Sequence, residues 1–146
     1  MVRHGIRRAI RRVDRYLDLT FFAGMEVWTL VVPTLWFLLA ARPAEAVSLS
    51  AMTTVCVSPF AVAAFRGGYV GGGRWPKPGH YGTLAARSAY YSLVVGAATY
   101  LGVVSQVRWG SFLLGIVVPA VVCVAALAAL PRVLGAFARL SRVRLY

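Results

Sequence analysis

Four apolar runs, each long enough to cross a bilayer as a helix, constrain this chain more than any motif it carries. A hydrocarbon core of about 30 Å needs about 20 helical residues. Residues 19–41, 44–65, 88–107 and 111–130 each meet that length with few charges. One soluble core of 146 residues cannot hide a chain that is 60% hydrophobic and 14% charged, with a mean hydropathy of +0.71. Low hydrophobicity, the signature of disorder, is missing. A disulfide scaffold is excluded as well, because the chain has two cysteines, Cys56 and Cys123, both deep in apolar runs.

The links between the runs define a topology. Arg42-Pro43 joins the first pair and Arg108-Trp109-Gly110 the second, so each pair must be antiparallel. Residues 66–87 form the long connection, with seven of the chain's fourteen glycines. The expected fold is therefore all-α: four transmembrane helices in an up-down bundle.

Charge sets the orientation. The net charge of +12 on its own suggests a nucleic-acid binder. Position argues otherwise, because the bases cluster between apolar runs, with no recognition fold or stacking aromatics beside them. Residues 1–18 hold six arginines, residues 66–87 hold three arginines and Lys77, and residues 131–146 hold four arginines. The other face of the membrane keeps only Arg42 and Arg108. A split of fourteen to two predicts both termini and the long loop on the cytoplasmic side of a cell membrane. Ala44-Glu45-Ala46 looks like a signal-peptidase site, but a 46-residue leader exceeds the usual 15–30 or so, so the first run is expected to stay as a span.

Both ends carry amphipathic patterns. Ile6, Ile10, Val13 and Leu17 recur at steps of four, three and four, which stacks them on one helix face. Arg7, Arg8, Arg11, Arg12 and Arg15 share that segment, so residues 1–18 read as a basic helix lying in the membrane interface. Val133, Phe137 and Leu140 repeat the pattern in the basic tail, residues 131–146. Each base near an anionic surface adds about 1 kcal/mol of attraction. The five arginines, with Arg74 and Lys77 of the loop, are thus candidate contacts for anionic headgroups or an acidic partner protein.

The glycine-rich loop fails the nucleotide-binding patterns. Lys77 is followed by Pro78 rather than Ser or Thr, and Gly71-x-Gly73 meets Pro76 where a third glycine belongs. Tyr69, Trp75 and Tyr81 suit headgroup depth, and His80 is a lone titratable group. No hydrolytic constellation or metal-ligand spacing occurs, so no enzyme, cofactor or metal is expected.

Glu26 is the candidate intramembrane functional residue. An ionised carboxylate at that depth needs a partner, and Arg66, Arg87 and His80 approach from the same side. Pro33, Pro59 and Pro119 should leave carbonyls that neighbouring helices must cover. Cys56 and Cys123 fall at similar depth in parallel spans and read as small apolar fillers.

One embedded glutamate in the first of four spans resembles the small multidrug resistance transporters, a match that rests on Glu26 alone. That resemblance implies an oligomeric proton- or cation-coupled transporter. The basic N-terminal segment and the glycine-rich loop depart from the family pattern. The leading expectation is a non-enzymatic scaffold or accessory protein that uses its basic face.

Overall fold

The computed structural model describes residues 2–71, 74–75 and 81–141, with side chains at 5–71, 74–75 and 81–140. Its order is α1 (Val2–Leu39), α2 (Ala44–Arg66), a 3₁₀ turn (Tyr81–Thr83), α3 (Leu84–Trp109) and α4 (Leu114–Ser141). All four α-helices are long and apolar enough to cross a membrane, and no strand occurs among the described residues. α2 and α3 pack on each other and on both remaining helices, whereas α1 and α4 do not pack together.

Three boundaries differ from the sequence expectation. Residues 1–18 are not a separate helix: α1 runs unbroken from Val2 to Leu39, because nothing between Asp18 and Leu19 interrupts its backbone ladder. At 1.5 Å per residue its 38 residues span about 57 Å, far more than one hydrocarbon core. The first half of the tail is likewise helical, since α4 passes through Pro131 to Ser141 and buries Leu134. Arg87 is not a loop residue. It stands in the first turn of α3, fully buried.

The ends follow local chemistry. Pro43 precedes α2 in an extended conformation (ψ 133°), and proline disfavours helical geometry in the residue before it. After α2, the Gly67 N–H reaches Ala63 O at 2.8 Å, and Gly68 turns the chain with φ +70°. Gly110 closes α3 in the left-handed region that glycine adopts without steric cost.

The core takes one stripe from each helix. One cluster joins Ala23, Val27 and Val31 of α1, Val62 of α2, Tyr91, Val95 and Ala98 of α3, and Cys123, Leu127, Leu130 and Leu134 of α4, with α2 and α3 between α1 and α4. Cys56 is exposed instead, so similar depth does not bring the two cysteines together.

Two of the prolines inside helices are repaired from a neighbouring helix. Pro59 lacks the N–H that would bond Val55 O, and Trp28 Nε1 of α1 donates to that carbonyl at 3.1 Å, with Ser58 Oγ at 3.2 Å. Pro119 orphans Gly115 O, which accepts Ser50 Oγ of α2 at 3.1 Å. Ser50→Ala should therefore lower stability by about 1–2 kcal/mol by stranding a buried carbonyl. Unfolding of the detergent-solubilised chain by a denaturing detergent measures this; an unchanged midpoint would refute the repair.

Candidate functional site

The site forms where three helices bring long polar side chains to one level. Helical side chains lean toward their own N-terminus. α1 and α2 are antiparallel, so Glu26 leans toward the basic end of the bundle while Arg66 leans inward from the last turn of α2. They meet with Arg66 Nη2 2.9 Å from Glu26 Oε2. From α3, Arg87 Nη1 donates to Glu26 Oε1 at 2.6 Å, and the Tyr91 hydroxyl to the same oxygen at 3.3 Å.

All three ionic side chains are buried, with 10% exposure at Glu26, 6% at Arg66 and 0% at Arg87. Two guanidinium groups face one carboxylate, so the cluster carries a net charge of +1. Arg66 Nε and Nη1 are buried without a hydrogen-bond partner. Beside the cluster a groove of about 330 Å³ lies between α1 and α3, walled by Phe22, Met25, Leu30 and Leu84 and reaching Glu26 and Arg87.

Two of the three partners anticipated for Glu26 thus engage it. The third, His80, lies outside the described residues. Tyr91 was not anticipated, although its offset of four residues from Arg87 puts both on one face of α3.

The basic contacts sit elsewhere. Arg7, Arg8, Arg11, Arg12 and Arg15 are all exposed on α1, at least eleven residues, or about 16 Å, from Glu26 along the helix. Ile6, Ile10, Val13 and Leu17 beside them are 53–56% exposed. Among the described residues, cover at this level comes from the start of the loop and from α2. Tyr69 packs edge-on against Tyr16 and donates to Arg12 O at 3.5 Å, while the Tyr16 hydroxyl bonds Phe60 O at 3.0 Å. Arg74 is exposed, and its neighbour Trp75 stacks on Phe65. Lys77 lies outside the described residues.

No group of three metal-ligating side chains occurs among the described residues. The two ion pairs of Glu26 tie α1 to α2 and to α3.

A family model described as a domain of unknown function, DUF8215, matches residues 10–137. No curated protein and no solved structure matches the chain. The family match takes in Arg11, Arg12 and Arg15 of the basic end of α1, the four apolar runs and the Glu26 cluster, and the chain belongs to the DUF8215 family.

Proposed function

We propose that this chain is a non-enzymatic scaffold or accessory protein of the cell membrane, with both termini and the glycine-rich loop on the cytoplasmic side. Its basic α1 extension contacts the anionic lipid surface there, and partner proteins are recruited to the same face. One observation carries the reading: an apolar stripe, Ile6, Ile10, Val13 and Leu17, is more than half exposed and runs beside five exposed arginines. Such a pattern gains from burying the stripe at the headgroup boundary while the arginines stay among phosphates. The five arginines less Asp14 and Asp18 leave a net charge of +3, which weights that docking by about 3 kcal/mol at low salt, less as salt screens it. The fourteen-to-two split of basic residues supports the orientation.

A nitroxide at Val13→Cys, in the full chain with Cys56 and Cys123 replaced by Ala, tests the contact. In phosphatidylglycerol nanodiscs the label should become accessible to dioxygen and shielded from a water-soluble relaxant. Substituting Gln for Arg7, Arg8, Arg11, Arg12 and Arg15 together should reverse that. A label equally water-exposed in phosphatidylglycerol and phosphatidylcholine would overturn the lipid contact. Transport through Glu26 is the weaker reading, because two guanidinium groups and a tyrosine hydroxyl already occupy its oxygens.

A further inference from the structure

Arg42 and Arg108 stand at the end of the bundle opposite the α1 extension, one in the link after α1 and one in the last turn of α3. No other base lies at that end. Far apart in the chain, the two line one groove of about 440 Å³ between α3 and the α1–α2 hairpin. Both are exposed, and among the described residues neither takes part in an ion pair. Arg108 rests over the ring of its neighbour Trp109, 5.8 Å from the centroid, a contact that offers no oxygen to its N–H groups. Glu45, the one carboxylate at this end, is exposed in the first turn of α2 and does not line the groove. The three side chains together leave a charge of +1.

From those arginines toward the middle of the bundle, the groove is lined mainly by apolar side chains. Gly96, Tyr100, Val103 and Val107 recur at steps of four, three and four, so one face of α3 forms a wall. Leu38 of α1 and Val47 of α2 complete the lining. Between Gly96 and Arg108 α3 rises by twelve residues, about 18 Å. Half of a hydrocarbon core of about 30 Å is about 15 Å. The groove thus has the length of one leaflet, with its positive charge at the headgroup edge.

We propose that the groove holds one anionic phospholipid of that leaflet, its acyl chain along α3 and its phosphate at the end bordered by Arg42 and Arg108. Arginine's planar fork matches the paired oxygens of a phosphate, and the single negative charge brings this end to neutrality. A free phosphate would gain nothing from the apolar wall, and phosphatidylcholine brings its own cation. The site requires helices that cross a bilayer, in either orientation. It lies at the opposite end from the α1 arginines, so either lipid contact can fail without the other.

Native mass spectrometry of the purified full chain, titrated with phosphatidylglycerol or phosphatidylcholine, tests it. The most tightly held lipid of the wild type should be one phosphatidylglycerol, retained in preference to phosphatidylcholine. Arg42→Gln combined with Arg108→Gln should lower that preference at least about tenfold, the loss expected for one charge-assisted contact. The chain with all five α1 arginines replaced by Gln should keep it. Loss of the preference in that chain would overturn the groove and leave only the surface contact. Equal retention of the two lipids by the wild type would mean ordinary boundary lipid and overturn the site.

A phosphatidylglycerol with a diazirine on its acyl chain locates the occupant. Its crosslinks in the wild type should concentrate on residues 96–107. Val104→Trp, which fills the groove and keeps both arginines, should reduce them several-fold. Crosslinks spread evenly over the exposed faces of all four helices, unchanged by Val104→Trp, would overturn the proposal.

Discussion

Glu26→Gln should destabilise the bundle by about 3–5 kcal/mol, the cost of removing one member from a buried ion pair and leaving the other uncompensated. The sign of the asymmetry is the informative part. Without Glu26, two buried guanidinium groups face each other at a net charge of +2. Without Arg66, one guanidinium and one carboxylate remain in balance. Arg66→Gln should therefore be much the milder change, and Glu26→Gln combined with Arg66→Gln should recover part of the loss. Denaturing-detergent titration of the four proteins, followed by far-ultraviolet circular dichroism, gives the comparison. If Glu26→Gln unfolds at the wild-type midpoint, the cluster is not a buried structural unit. The ranking follows from geometry, since each of the three side chains is at least 90% buried.

Gly102→Ala should cost about 1–3 kcal/mol, and larger side chains more, because the site is already full. A Cβ built on Gly102 would lie 2.6 Å from Ser50 Oγ and 2.9 Å from Pro119 Cδ. Ser50 is held by its bond to Gly115 O, and a proline ring has little freedom to yield. The added methyl must therefore push α3 away from α2 and α4 and weaken the bond that covers the carbonyl freed by Pro119. Gly96 supplies the contrast. Its nearest neighbour would be Thr34 Cγ2 at 3.8 Å, ordinary van der Waals contact. Gly96→Ala should be neutral or stabilising by up to about 1 kcal/mol, the helix preference of alanine over glycine. Unfolding midpoints of the two variants should move in opposite directions or differ by well over their error. Equal midpoints would mean that α3 does not approach its neighbours at Gly102.

These two sites show where the sequence is informative. The glutamate could be found without coordinates, because an ionisable residue in an apolar run stands out, and Arg66, Arg87 and His80 were legible as partners from the same side of the membrane. Gly102 could not. Ala98-x-x-x-Gly102 and Ser92-x-x-x-Gly96 look alike as spacings of small residues, yet only Gly102 carries a contact that a methyl would break. By sequence Arg87 belongs to the loop, because a charge normally marks the end of a span. Its pairing with Glu26 overrides that rule and draws it into α3. The amphipathic stripe of residues 6–17 was legible by its period, but no period could say that the helix continues without a break into the first span.

The sequence by itself determined the number of spans, their antiparallel links and the concentration of positive charge at one end. Those properties depend on length, apolarity and charge, which are additive along a chain. Only the tertiary structure decided which face of each helix is inside, how Trp28 and Ser50 cover carbonyls freed by prolines on other helices, and why one carboxylate serves two arginines. The physical reason is that lipid and protein interior are equally apolar, so inward and outward faces carry little contrast in composition. What distinguishes them is contact between residues twenty-seven to sixty-five positions apart, and only the packed helices bring those together.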